Sequence, residues 1–226
     1  MSAVADLFRL RVCFGKTGRL RHLSHLETIK ACERSARRAG LPYAVSQGFT
    51  PRMRIAFGPA LPVASAGERE YYDLWLTRYV PADEVRAALA GSSVPELAPG
   101  ACGYVSQAER SLAAELTIAL YDIEVEGGPS EEDLARALET MTGIGTFTTE
   151  HKGKQKVFDL ADALPKELEV MSHEGSIRVR MAVRMGERGS LRPEVFVRAA
   201  AGQAAALVVT RTDLLIEDEG VWRRPL

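Results

Sequence analysis

Two histidines three residues apart, His22 and His25, are the side chains most suited to chemistry in this sequence, with Cys13 and Cys32 on either side of them. Four such groups could bind zinc if they converged. Structural zinc sites normally present tightly spaced ligand pairs, and here Cys13 falls on a strand pattern and His22 in the loop after it, so the spacing implies no convergence and no metal site is expected. The second possibility is proton transfer. His22, among Arg19, Arg21 and Ser24, could act as general acid or base in metal-free RNA cleavage, with neighbouring cations stabilising the phosphorane charge. No residue that would position it is visible. No Gly-rich phosphate loop of Walker or Rossmann spacing occurs. The chain therefore suggests binding more clearly than reaction. It is expected to have no catalytic activity of its own, the alternative being an RNA-cleaving or RNA-modifying enzyme that uses His22 or His25.

The binding signal is cationic. Between Arg9 and Arg54 there are eleven Lys and Arg residues against only Glu27 and Glu33, a local charge of +9 in a chain whose total is −1. Lys30, Arg34, Arg37 and Arg38 recur at helical spacing and share one face. Lys16, Arg19 and Arg21 precede that helix. After it comes a loop in which Gly48 permits unusual backbone angles, Phe49 offers a stacking face, Pro51 stiffens the chain, and Arg52 and Arg54 offer forks for phosphate. The other possibility for Phe49 is a plug in the core. These eleven residues, Lys16, Arg19, Arg21, Lys30, Arg34, Arg37, Arg38, Gly48, Phe49, Arg52 and Arg54, are the candidate RNA- or phosphate-binding set. They are expected to form one outward-facing platform for a polyanion. The competing reading is an acidic patch on a protein partner.

The elements that must carry these residues have clear punctuation. Ser24 and Glu27 form a capping box that starts a helix; Gly40 and Pro42 stop it. Leu7–Phe14 alternates like a half-buried strand. With Tyr43–Val45, Arg54–Phe57, Glu70–Thr77, a helix from Pro81 to Ala90, and a short strand near Tyr104–Gln107, the order is β-α-β-β-α-β. The second half repeats this grammar. A strand over Glu115–Val125 is followed by a helix capped by Ser130, by hairpins turning at Gly153 and Gly175, by a helix over Leu191–Ala200, and by a closing strand over Ala205–Glu217. The expectation is an α+β fold of two tandem ferredoxin-like (split β-α-β) halves with antiparallel sheets. These are a basic domain over 1–110 and a second domain over 111–226 that carries an extra hairpin. Hydrophobic content of 46% and charged content of 26% suit a globular chain. No apolar run could span a bilayer and the start lacks a signal-peptide pattern, so a cytoplasmic location and no membrane partner are expected.

The residues that organise the first half also carry a family resemblance. Phe14-Gly15-Lys16-Thr17-Gly18, Arg21-His22-Leu23-Ser24-His25-Leu26-Glu27, Glu33 through Pro42, Ser46 through Arg52, Leu61-Pro62 and Glu70-Tyr71 resemble the radical SAM-linked protein family, a bacterial domain of unknown function. Lys152-Gly153-Lys154, Phe158-Asp159-Leu160, Leu191-Arg192-Pro193-Glu194 and Arg211-Thr212 fit as well. The resemblance covers nearly the whole chain. It departs at Glu27, where aspartate is usual, at Met53, where proline is usual, and at Ala64, where glycine is usual. It implies a radical SAM protein, encoded beside or fused to this one, as partner. The three cysteines, Cys13, Cys32 and Cys102, form no cluster-binding spacing, so no cofactor is expected in this chain. The resulting expectation is an accessory module that brings structured RNA, tRNA or rRNA, to that partner. The element order is also similar to that of tandem ferredoxin-like RNA-binding proteins, a likeness of fold that implies no activity.

Overall fold

Alternation along strand β1 (Phe8–Lys16) sorts its residues onto two faces, and both are buried. Leu10, Val12 and Phe14 face a hydrocarbon core, while Arg9 and Arg11 point the other way. The computed structural model describes residues 7–151, 153–186 and 189–226, except the side chains at 151 and 154. The chain divides into two compact units. Unit 1 holds the chain up to Leu116 together with Arg224–Leu226, and unit 2 is Thr117–Arg223.

Unit 1 runs β1, α1 (His25–Arg38), β2 (Ile55–Phe57), β3 (Ala66–Leu76), α2 (Ala82–Ser92) and β4 (Pro99–Tyr104), ending in one helical turn, α3 (Leu112–Glu115). Its strands are ordered β4-β1-β3-β2, all antiparallel. The last strand thus lies over Pro99–Tyr104, earlier than the expected Tyr104–Gln107. Tyr72, Leu74 and Leu76 of β3 meet Leu10, Val12 and Phe14 of β1, and Cys32, Ala36, Val85 and Leu89 from the two helices cover them. Each fully buried aliphatic side chain contributes about 1.5–3 kcal/mol. The small residues late in α1 let the helix sit close to the sheet.

The punctuation of α1 is as its sequence dictates. Ser24 Oγ accepts from Glu27 N–H, and the Glu27 carboxylate accepts from Ser24 N–H at 2.8 Å and from its hydroxyl at 2.7 Å. Gly40 adopts φ +64°, with Gly40 N–H bonded to Arg37 O and Leu41 N–H to Ala36 O, a Schellman ending. The two Ser24 bonds hold the Glu27 carboxyl below the usual glutamate range. A group whose pKa falls on folding adds stability above its unfolded pKa, and the addition is lost as pH drops through the folded value. Carboxyl-carbon NMR should therefore give Glu27 a midpoint below that of a free glutamate, and Ser24→Ala, which removes the hydroxyl bond but keeps the backbone N–H bond, should raise it part of the way back; an unshifted wild-type midpoint contradicts the capping box.

Ala64 sits at φ +69°, in the left-handed region that favours glycine. The turn is fixed by Ala64 N–H to Arg21 O at 3.0 Å and Ser65 N–H to Pro62 O at 3.2 Å. Ala64→Gly should relieve the strain and raise the urea midpoint, with a gain of up to about 1 kcal/mol. An unchanged or lower midpoint would show that the turn bears no such strain.

Unit 2 carries β5 (Ile118–Glu126), α4 (Glu131–Gly143), β6 (Thr146–His151), β7 (Lys154–Asp159), the short α5 (Leu160–Ala163), β8 (Glu169–His173), β9 (Ser176–Arg184), α6 (Pro193–Ala201), β10 (Ala206–Asp218) and β11 (Val221–Arg223). Its sheet is ordered β10-β5-β9-β8, with β11 beside β10. Strands β6 and β7 form their own two-stranded sheet, the extra hairpin. Glu115, expected to open the long strand, instead ends the turn α3 behind Ser111, and the strand begins at Ile118. No helix among the described residues is long and apolar enough to cross a membrane.

Candidate nucleic-acid interface

Helix α1 turns Thr28, Cys32, Ser35 and Ala36 inward. The geometry of 3.6 residues per turn then forces Lys30, Arg34, Arg37 and Arg38 outward, and all four are exposed. Lys30 to Arg38 spans about 12 Å at 1.5 Å per residue. Arg37 reaches Glu33 at 3.5 Å, an exposed i,i+4 pair worth a few tenths of a kcal/mol. Arg34 and Arg38 have no ion pair among the described residues. Arg37 and Arg38 also lie in the last helical turn, where the helix dipole favours cations. At the opposite end, Arg19 and Arg21 lie on the 3-10 turn Gly18–His22.

The loop after α1 is a pinched finger. Ala44 N–H bonds to Trp75 O and Trp75 N–H to Arg54 O, so the chain leaves the edge of β3 at Ala44 and rejoins it at Arg54. Between them, Val45 and Met53 face each other. Arg54 N–H bonds to Ala44 O at 2.8 Å, Ser46 N–H to Arg52 O at 2.7 Å, and Arg52 N–H to Ser46 Oγ at 3.0 Å. Buried Met53 anchors the base. At the tip Phe49 is fully solvent-exposed, with Gly48 and Arg52 exposed around it. Phe49 is therefore not a core plug; burial of its ring would have been favourable, and the closed finger prevents it.

Other candidates are elsewhere. Lys16 is 1% exposed and donates to Leu23 O at 3.0 Å, so it lies beneath the surface rather than on it. Arg54 is exposed but stacks on the Trp75 ring, 5.1 Å from its centroid, with Arg9 at 5.5 Å from the same ring. Arg9 and Trp75 belong to the sheet face turned away from α1, so Arg54 does not join the helix stripe. Arg9 and Arg11, both counted in the local +9, are buried against Asp73. The expected single platform is therefore smaller than its charge count. The candidates left at the surface are the α1 stripe, Gly48, Phe49 and Arg52 on the finger, and exposed Arg19 with half-buried Arg21 on the 3-10 turn.

The histidines are separated. His22 is exposed, its Nε2 accepting from Arg21 Nε at 3.4 Å. His25 is half-buried, edge-on to Phe57 at 5.9 Å, and lines a small pocket with Lys16, Thr28, Glu70 and Tyr71. Burial pushes the Cys32 and Cys102 thiols up to about 12. Among the described residues no three His, Cys, Asp or Glu side chains gather as a metal site.

Two features escaped the sequence reading. Asp73 interrupts the apolar run Tyr71–Leu76 at a position whose side chain faces Arg9 and Arg11; its partners on β1 were the available signal. Tyr79, 57% exposed, stacks on Tyr104 with centroids 5.1 Å apart and lies edge-on to Phe8 at 5.9 Å. Its signal was Arg78-Tyr79 between a strand and Pro81. Unit 1 carries 16 Lys and Arg against 11 Asp and Glu, and unit 2 carries 13 against 19, so the cationic surplus belongs to unit 1 alone.

A family model described as an uncharacterized protein conserved in bacteria (DUF2344) matches residues 9–193. No curated protein matches the chain. Among solved structures, a chain in the crystal structure of a Cbf5-Nop10-Gar1 complex is similar at 13% identity and a TM-score of 0.49, over 93% of this chain and 50% of that one. The chain thus spans half the length of that relative. The crystal structure of an unknown protein from Galdieria sulphuraria is similar at 12% identity and a TM-score of 0.27, over 91% of this chain and 99% of that one.

Proposed function

The chain belongs to the bacterial DUF2344 family, and from that premise we propose that it is an accessory module of a radical SAM protein that binds structured RNA through the exposed face of α1 and the finger after it. The observation that carries this reading is the α1 stripe. Four long cations stand in line on one helix face, and only Arg37 has a carboxylate within ion-pair distance among the described residues. Such a row gains little from intramolecular pairing and much from releasing the counterions condensed on a phosphate backbone. We read each unit as a split β-α-β sheet, unit 1 in the order β4-β1-β3-β2 and unit 2 in the order β10-β5-β9-β8 with the β6–β7 hairpin inserted. The reaction is assigned to the partner. The radical SAM partner rests on the resemblance of Arg21–Glu27 and Ser46–Arg52 to the linked family, and the RNA on the surface described above.

Ultraviolet crosslinking in cells, followed by sequencing of the attached RNA and identification of co-purifying protein, tests both halves. The expected result is one enriched class of structured RNA together with a radical SAM protein. Recovery of the protein partner with no RNA above background would favour docking of the basic face on an acidic protein surface instead.

A further inference from the structure

The α1 stripe explains attraction to phosphate but not two aromatic side chains of the same unit that are left in water, Phe49 and Tyr79. Phe49 sits at the tip of a finger whose base is closed by three hydrogen bonds, so its ring is held away from the protein. Tyr79 is held differently. One face packs on Tyr104, whose hydroxyl donates to Val80 O at 2.6 Å and accepts from Val80 N–H at 3.2 Å, and Phe8 supports the pair edge-on. Both lie toward the same end of the sheet. Leu76, the last residue of β3, pairs with Phe8 and bridges to Tyr43. Thr77 N–H and hydroxyl both donate to Pro42 O, just beyond the end of α1. The finger leaves the sheet beside Trp75, and exposed Arg78 precedes Tyr79.

An exposed aromatic face can stack on a base only if that base is out of a duplex stack. In double-stranded RNA the flat faces are hidden, and the phosphates alone would be within reach. Resting on the RNA-binding reading above, we propose that the bound segment is unpaired, a loop or single strand, and that Phe49 and Tyr79 are two stacking platforms for its bases. Arg38 at the end of α1 and Arg78 next to Tyr79 in the chain, both exposed, supply the cations for its backbone. The packing of Tyr79 on Tyr104 and Phe8 holds that ring in place and lowers the entropy lost on binding. Stacking of this kind tolerates any base, so the platforms select for single-strandedness rather than sequence.

The test uses the full chain and a mixed-sequence 12-nucleotide RNA, alone and annealed to its complement, with affinity read by fluorescence anisotropy. The single strand should bind more tightly than the duplex. Phe49→Ala and Tyr79→Ala should each weaken the single strand by about 5- to 100-fold while leaving duplex binding nearly unchanged. Phe49→Trp should retain affinity. Phe49 touches nothing that stabilises the fold, so its variant remains interpretable if Tyr79→Ala perturbs the core. Equal affinity for duplex and single strand, or an unaffected Phe49→Ala, would overturn this proposal and leave the RNA reading standing. Failure of the wild-type chain to bind either RNA would overturn both.

Discussion

Asp73→Ala should destabilise the protein by about 3–5 kcal/mol, the cost of stranding buried charge. The carboxylate is completely buried, and so, within a few per cent, are its two partners. Its Oδ1 accepts from Arg11 Nε at 2.8 Å. Its Oδ2 accepts from Arg9 Nε at 2.9 Å, Arg9 Nη2 at 2.6 Å and Arg11 Nη2 at 3.1 Å. Burial alone would lower the Arg11 pKa, but the hydrogen bonds and charge of Asp73, aided by Glu115 and Glu109, raise it instead. The guanidiniums also tie down the segment after β4 and the C-terminal residues. Arg9 donates to Glu109 O at 2.7 Å and Arg110 O at 2.8 Å, and Arg11 donates to Pro225 O at 3.3 Å. Without Asp73, Arg11 keeps Glu109 at 3.5 Å and Glu115 at 3.3 Å, while Arg9 is left with backbone carbonyls alone among the described residues, so the stranded charge is chiefly that of Arg9. Replacing the whole cluster by apolar residues, Arg9→Met with Arg11→Met and Asp73→Leu, should recover most of the loss, since the pairing offsets a desolvation cost that the apolar version never incurs. Urea unfolding checks both; a loss below about 1 kcal/mol for Asp73→Ala would show the cluster is not a tightly coupled unit.

Arg37→Glu combined with Arg38→Glu should weaken RNA binding by on the order of 100-fold at 0.1 M salt. Each phosphate contact to a single strand contributes roughly 0.7 to the slope of log affinity against log salt, equivalent to about 5-fold between 1 M and 0.1 M salt. Two lost contacts account for about 25-fold, and repulsion by two introduced carboxylates supplies the rest. Both positions are exposed, so the fold should survive, although the last-turn dipole interaction turns unfavourable by a few tenths of a kcal/mol per residue. Arg54→Glu, at the Trp75 stack on the other face of the sheet, should affect RNA binding much less. Equal effects at the two places would mean that the cations act only through net charge.

Local signals placed much of the fold and less of the site. Ser24, Glu27 and Gly40 determine α1 through bonds reaching three to five residues, and alternation in Leu7–Phe14 identifies β1. Spacing within α1 sufficed to align Lys30, Arg34 and Arg37. What could not be read was the fate of cations on strands. Arg9 and Arg11 look like solvent-facing residues until Asp73, more than sixty positions away, is set opposite them by the register of β1 and β3. Lys16 is drawn into the interior, where it donates to Leu23 O, and Arg54, though exposed, is held on the other face of the sheet by the Trp75 ring. Neither partner has a charge that would signal the pairing. Phe49 was ambiguous for the opposite reason: an apolar ring in a loop reads equally as plug or platform until the bonds closing the finger are known.

The salt dependence of RNA binding by the unmodified chain tests the central claim most directly. Three or four phosphates held by the α1 stripe predict that log affinity falls with log salt with a slope of about −2 to −3 for a single strand. The Arg37→Glu, Arg38→Glu variant should flatten it. Affinity that does not change between 50 mM and 500 mM salt, or RNA binding with the same slope in the variant, would contradict the account.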